Sequence, residues 1–321
     1  MTGSTSLLTL GTRGSKLALW QTRTVAEKIK AAFPETEIEI REFSTRGDRQ
    51  TQQPLPQIGG KGLFTAELDE AIHQQTIDVA IHSLKDLPVQ AAEETLIVPI
   101  LEREDPRDVL IARDGATLET LPEGAVVGTS SYRRQAQLLA ARPDLKVRSI
   151  RGNVPTRIAK VVSPAPDADH YDAIVLAAAG VVRLGLADQI SQWIPLELML
   201  PAPGQAMIAA TLRCKNETAS QTVDSLVDEP AKRCVHAERM FLSGLGGGCS
   251  SPIAAYASWR WCEETKTDQF TIQGRLGRLD GTQLVTHELT GSDEVAVAAE
   301  LAQAVLADGG QAILDSLPEH A

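Results

Sequence analysis

One pattern constrains this chain more than any other: a short, apolar, β-branched run that ends in hydroxyl and charged residues, followed by a helix start or a turn. Ile77-Asp78-Val79-Ala80-Ile81 is the fullest example, and it reads as a buried strand of a parallel sheet. That strand is expected to end near His82. Ser83 then offers a turn hydroxyl, Lys85 and Asp86 place a charge pair past the strand's carboxyl end, and Pro88 stops any helix. Ligands of open α/β sheets bind at that edge, which makes Asp86 a candidate working carboxylate. The same residues also suit a plain surface turn in which Asp86 caps the backbone and Lys85 neutralises it.

The pattern recurs. Leu7 to Leu10 reads as a strand, then Gly11-Thr12-Arg13-Gly14-Ser15, then a helix from about Lys16 to Phe33 with Ser15 as N-cap and Leu17, Leu19, Trp20, Val25 and Ile29 as its buried stripe. Ala125 to Gly128 is followed by Thr129-Ser130-Ser131 and a helix carrying Arg133 and Arg134 in its first turn. Lys146 to Ile150 leads into Arg151-Gly152-Asn153 and a helix bearing Arg157, and Ala173 to Leu176 leads towards Arg183. Strands alternating with helices predict α/β lobes built on parallel sheets. The charged link from Glu102 to Asp108, and Leu200-Pro201-Ala202-Pro203-Gly204-Gln205, suit two crossings between such lobes, as hinged two-lobed binding folds require. From about Ser225 the chain changes character, with a helix at 231–245, strands near 253–259, 270–276 and 284–289, and a last helix at 294–307, a small α+β domain with an antiparallel sheet. The expected division is 1–102 with 202–224 as the first lobe, 103–201 as the second, and 225–321 as the C-terminal domain. Ser44 to Gly62 is a long polar loop, either a functional lid or a disordered segment.

Charge and composition exclude several classes. A net charge of -11 argues against a nucleic-acid partner, and no apolar run approaches the roughly 18 residues of a membrane span. The amino terminus lacks a basic segment followed by an apolar core, so a cytoplasmic location, or the mature form of an organellar protein, is expected. Cys214, Cys234, Cys249 and Cys262 lie far apart without a C-x-x-C pair, which disfavours zinc and disulfide scaffolds and suits free thiols in a reducing compartment. Between Ser131 and Lys160 stand eight basic residues (Arg133, Arg134, Arg142, Lys146, Arg148, Arg151, Arg157, Lys160) against one acidic residue, Asp144. Two like charges about 4 Å apart repel by about 4 kcal/mol at an effective dielectric of 20, so an anion is expected to relieve them. A solvated basic face is the plainer alternative. Arg13, Arg133, Arg134 and Arg151 fall at strand-to-helix junctions, where helix amino termini attract anions and the guanidinium fork suits carboxylates. In Leu245-Gly246-Gly247-Gly248-Cys249-Ser250-Ser251-Pro252, three glycines leave room around Cys249, which is either an attachment point or nucleophile, or an inert buried thiol.

Eight stretches, in order, carry a resemblance that spans essentially the whole chain: GTRGSKLALWQ at Gly11 to Gln21, GGKGLFTAELDEA at Gly59 to Ala71, HSLKDLP at His82 to Pro88, DPRDVL at Asp105 to Leu110, GTSSYRRQAQL at Gly128 to Leu138, RGNVPTR at Arg151 to Arg157, PAPGQ at Pro201 to Gln205 and GGGCSSPIAAYA at Gly246 to Ala257. Together they resemble the porphobilinogen deaminase (hydroxymethylbilane synthase) family. The resemblance implies three domains, the first two like type II periplasmic binding proteins, and a dipyrromethane cofactor attached to Cys249 through a thioether. It implies a transferase of tetrapyrrole biosynthesis, serving heme and chlorophyll. The enzyme condenses four porphobilinogen molecules head to tail on that primer with loss of ammonia, and hydrolysis then frees hydroxymethylbilane. Each pyrrole carries an acetate and a propionate, the carboxylates that the arginines would meet. By resemblance Asp86 stabilises the cationic electrophile and assists the proton transfers. Arg13, Ser15, Lys61, Arg151, Arg157 and Arg183 would bind substrate. Ser83, Lys85, Thr129, Ser130, Ser131, Arg133, Arg134, Arg151 and Gly152 would hold the cofactor with Cys249. No metal is implied, the state is expected to be monomeric, and hand-over of the product to uroporphyrinogen-III synthase is expected.

Gln57 stands where many members have a second loop lysine, and Ala206 where glycine is common. The rival reading is a non-enzymatic carboxylate-binding protein on the same two-lobed scaffold. It accounts for the arginines and the crossings, but for neither Cys249 nor a third domain.

Overall fold

Leu7–Arg13 (β1) is buried on both faces, as a central parallel strand should be. Helix α1, Lys16–Ala32, starts where Ser15 Oγ accepts the Ala18 N–H at 3.2 Å. The computed structural model describes residues 7–49, 65–164, 169–248 and 251–318. The chain next forms β2 (Glu37–Phe43), α2 (Ala66–His73), β3 (Val79–Ser83), a 3-10 turn at Leu84–Asp86 and β4 (Thr95–Ile100). After β4 come β5 (Asp108–Ala112), β6 (Val126–Gly128), α3 (Tyr132–Ala141), β7 (Lys146–Arg148), α4 (Val154–Val162), β8 (Ala173–Ala177), α5 (Ala178–Arg183) and β9 (Gln192–Trp193). Strand β10 (Ile208–Arg213) and helix α6 (Glu217–Asp224) follow. The remainder is α7 (Glu229–Gly244), β11 (Ile253–Cys262), β12 (Thr267–Gly277), β13 (Leu284–Gly291) and α8 (Glu294–Val305).

The chain divides into two compact units, Met1–Gln50, Gly60–Glu104 and Ala206–Lys232 in the first, Thr51–Gly59, Asp105–Gln205 and Arg233–Ala321 in the second. The first contains a five-stranded sheet in the order β2-β1-β3-β10-β4. Strands β2 and β3 run parallel to β1, and β10 runs antiparallel to both β3 and β4. Leu8, Leu10, Val79 and Ile81 pack with Val25 and Ile29 of α1 on one face, while Ala80 joins Leu68, Ala71 and Ile72 of α2 on the other.

The second unit repeats the scheme as β7-β6-β8-β5-β9, with β6 parallel to β7 and β8, and β5 antiparallel to β8 and β9. In each sheet the antiparallel strand is the first one laid down after a crossing, β5 after residue 104 and β10 after residue 205. The second unit also holds the antiparallel sheet β11-β12-β13. The two α/β sheets and the antiparallel C-terminal sheet expected from the sequence are thus present. Among the described residues, no helix is long and apolar enough to cross a membrane.

Two local expectations need correcting. The buried stripe of α1 is Gln21, Thr22, Val25 and Ile29, with Leu17 and Leu19 half-buried and Trp20 36% exposed. Gln21 takes a core position because its amide is satisfied there, donating from Nε2 to Ser83 Oγ at 2.9 Å. The loop after Ser44 opens with a helical turn at Arg46–Arg49, and its remainder lies outside the described residues. At the second crossing Ala206 has φ +75°, a left-handed backbone that favours glycine, just after Gly204 at +74°.

Gly128 ends β6 where the chain must turn into α3. A Cβ there would sit 2.8 Å from Ile174 Cγ2 and 2.9 Å from Tyr171 Cδ1, both fully packed side chains. Gly128→Ala is therefore expected to destabilise the protein by about 1–3 kcal/mol, read as a lowered denaturation midpoint in urea; an unchanged midpoint would contradict this close packing.

Candidate functional site

In the first unit a hollow opens at the carboxyl edge of β3, lined by Arg13, Ser15, Gln21, Thr65, His82, Ser83 and Asp86 among others. The sheet register explains the convergence. Leu10 lies opposite Val79 and Gly11 opposite Ala80, so two residues further on Arg13 is level with His82. Residues level on neighbouring parallel strands share a face, here the face of Ala80 that carries α2. Ser83 points to the α1 side, where it accepts the Gln21 hydrogen bond. The strand then closes into the 3-10 turn: Leu84 N–H donates to Met207 O at 2.9 Å and Leu87 N–H to Leu84 O at 3.1 Å. That turn carries Asp86, which is exposed, and Lys85, which is half-buried.

His82 is 6% exposed, and its Nε2 has no hydrogen-bond partner among the described residues. Burial, aided by the positive charge of Arg13, pushes its pKa down to about 3. The imidazole is therefore neutral at neutral pH. The stretches already singled out contain Gln21 and His82, but periodicity gave Gln21 no chemical role and His82 only the end of a strand.

The second unit gathers the other predicted residues at the β6–α3, β7–α4 and β8–α5 junctions. Ser131 caps α3, accepting the Arg134 N–H at 3.4 Å, and Thr129 Oγ1 accepts the Ser131 N–H at 3.2 Å. Ser130 Oγ donates to Ile150 O at 2.8 Å and accepts the Ile150 N–H at 3.1 Å, tying two junctions together. These three hydroxyls build the loops. Gly152 has φ +117°, and a Cβ on it would sit 2.9 Å from Thr156 Cγ2, so the backbone there is open only to glycine. Arg151 and Arg157 are half-buried, and Arg157 Nε donates to Gly152 O at 2.6 Å. Arg183 is 9% exposed at the end of α5.

Arg133 and Arg134 correct the argument from crowded charge. Arg133 Nη1 donates to Asp108 Oδ2 at 2.7 Å and to Leu200 O at 2.6 Å, while Arg134 donates to Asp108 Oδ1 from Nη2 at 2.8 Å and from Nε at 3.2 Å. Gln205 Nε2 adds a further donor to Asp108 Oδ1 at 2.9 Å and reaches Pro106 O at 2.7 Å. All three charged groups are buried. Burial alone would raise the Asp108 pKa, but the two guanidinium groups outweigh it and hold the carboxyl well below the usual carboxylate range. The anion that relieves these two arginines is internal. Sequence reading missed Asp108 because it counted charges only between Ser131 and Lys160.

A dipyrromethane needs carboxylate-binding donors, and the residues of this unit fit it. The buried Nε of Arg133 is left without a partner among the described residues after Asp108 and Leu200 have taken Nη1, and Arg151 and Arg157 stand partly exposed around the glycine-only turn at Gly152. Cys249 and Lys61 lie outside the described residues.

Comparison with known proteins gives the same direction. The family model described as "Porphobilinogen deaminase, dipyromethane cofactor binding domain" matches residues 8–221, and "Porphobilinogen deaminase, C-terminal domain" matches residues 232–308. Porphobilinogen deaminase of Brevibacillus brevis is 42% identical over 312 residues, covering 97% of this chain and 98% of the relative. The Syntrophus aciditrophicus protein of the same name is 44% identical over 312 residues, with 97% and 98% covered. That of Geobacter sulfurreducens is 42% identical over 309 residues, with 96% and 93% covered. With both family models matched in order and such identity along nearly its whole length, this chain belongs to the porphobilinogen deaminase family.

Proposed function

We infer that the chain is a transferase that condenses four porphobilinogen molecules head to tail on a covalently bound dipyrromethane primer, releasing ammonia and then, by hydrolysis, hydroxymethylbilane. The observation that carries this reading is one exposed carboxylate, Asp86, at the carboxyl edge of a parallel strand in a hollow it shares with Arg13, Ser15 and Ser83. Head-to-tail condensation makes a cationic electrophile from the substrate once ammonia leaves, and a proton must later depart from the ring that attacks it. Asp86 suits both demands, because a carboxylate stabilises the cation and can accept pyrrole N–H hydrogen bonds and the departing proton. Arg13, Arg151, Arg157, Arg183 and, from the loop, Lys61 bind acetate and propionate groups of the substrate. Arg133, Arg134, Lys85, Ser83 and the Thr129-Ser130-Ser131 and Gly152 turns hold the primer in place. The dipyrromethane, when bound, supplies the terminal ring from which the chain grows.

The expected result is an intact mass, after denaturation, that exceeds the sequence mass by two linked pyrrole units in the wild type and by nothing in Cys249→Ser. A wild-type protein that stays bare after incubation with porphobilinogen would overturn the reading and favour a protein that only binds carboxylates. From the family resemblance we also take the chain to act as a cytoplasmic monomer in three functional parts and to hand its product to uroporphyrinogen-III synthase. Sedimentation equilibrium tests the monomer, and a coupled assay with trapped free product tests the hand-over.

A further inference from the structure

His82 belongs to none of the roles above, yet it is built into the same hollow as Asp86. A buried polar atom without a partner is costly, so the buried Nε2 of His82 stands as an unsatisfied hydrogen-bonding group in a residue that lines the hollow. Its surroundings decide what it would meet. Arg13 is level with it on the same sheet face, close enough for its charge to act on the ring. The Thr65 hydroxyl, 2% exposed, lies at the N-terminus of α2, which packs on that face. Glu67 and Asp69 stand in the first turn of that helix, so the Arg13 guanidinium is the group that draws an anion to this face, and beside that anion a neutral imidazole serves as a donor.

We propose that His82 Nε2–H donates a hydrogen bond to the pyrrole carboxylate that Arg13 pairs, so that His82, Arg13 and Thr65 form one subsite for the incoming porphobilinogen. The proposal rests on porphobilinogen being the substrate. It makes His82 a binding residue that sets the position of the ring relative to Asp86.

The test is steady-state kinetics of the pigment-loaded enzyme with His82→Leu, which keeps the bulk and removes the donor, and His82→Gln, which restores an amide N–H at similar reach. His82→Leu is expected to raise KM for porphobilinogen about ten- to a hundredfold with kcat within a few-fold, and His82→Gln to recover most of that loss. Both should retain the covalent pigment by intact mass and melt within a few degrees of wild type. An unchanged KM in His82→Leu, with the wild type active, would overturn this subsite and leave the family reading standing. Loss of the covalent pigment from His82→Leu would place the primer's carboxylate here instead, and would equally overturn it. A wild-type protein that consumes no porphobilinogen would remove the substrate and the subsite together.

Discussion

Asp86→Asn is expected to lower turnover of porphobilinogen by about 10²–10⁴-fold while KM stays within a few-fold. Asparagine keeps the shape of the side chain and an acceptor oxygen but removes the negative charge and the basic site, so the substitution isolates the two properties that the proposed role requires of Asp86. The turn that presents it is held by the Leu84 and Leu87 backbone hydrogen bonds, which the change leaves intact. The protein should therefore still fold, bind the pyrrole and keep its covalent pigment. Single-turnover measurements on the loaded enzyme would locate the defect in the chemical steps. A variant that turns over at the wild-type rate would show that the working carboxylate lies elsewhere.

Asp108→Asn is expected to have the largest effect on stability, a loss of about 3–5 kcal/mol, because it leaves two buried guanidinium groups without their counter-charge. For a unit of this size that is a fall in melting temperature of roughly 6–20 °C by calorimetry. Asp108 also joins the segments next to both crossings, through its own strand and through Gln205, so the loss should fall on the second unit as a whole. The acid limb of the stability curve carries a second signature. A carboxyl whose folded pKa is depressed contributes fully above its unfolded value, near 4, and loses that contribution as pH falls towards the folded pKa. His82 acts in the same sense in a higher window. Its folded pKa of about 3 lies below the ordinary 6.5, so its contribution declines as pH falls from about 6.5 to about 3. Wild-type melting temperature should therefore begin to drop below about pH 6.5 and steepen below about pH 4. Asp108→Asn should flatten the lower part and His82→Leu the upper part. Equal slopes in wild type and variants would contradict both assignments.

The elements of the chain were legible where local pattern decides them. The Ser15 and Ser131 caps, the Ile77 strand and the turn ending at Pro88 all follow from residue type and spacing, and the structure places them within a few residues of expectation. Pairings between distant residues were not legible. Gln21 occupies a buried helix position that hydrophobicity assigns to its neighbour Trp20, because Ser83, sixty-two residues away, satisfies its amide. Asp108 neutralises Arg133 and Arg134 across twenty-five and twenty-six residues, a pairing that a count of local charge did not include. Strand β9 escaped notice because two residues, Gln192 and Trp193, carry no periodicity. The junction grammar did identify Arg13 and Asp86 as members of one edge. The place of His82 beside Arg13 came only with the register of β1 and β3.

The position of β10 in the first sheet has a consequence for how the protein is made on the ribosome. Strand β4 is complete at Ile100, but its partner in the sheet, β10, does not exist until Arg213 has been added. At 5–20 residues per second the emerging chain waits roughly 6–20 s in which β3 and β4 offer unpaired edges. Strands β5 to β9 need nothing from outside residues 108–193, so their sheet can close first. The amino-terminal lobe, although synthesised first, is then the later of the two to be finished, and the nascent chain is at its most adhesive midway through translation. A chaperone that shields strand edges should matter most for chains stalled between residues 100 and 213.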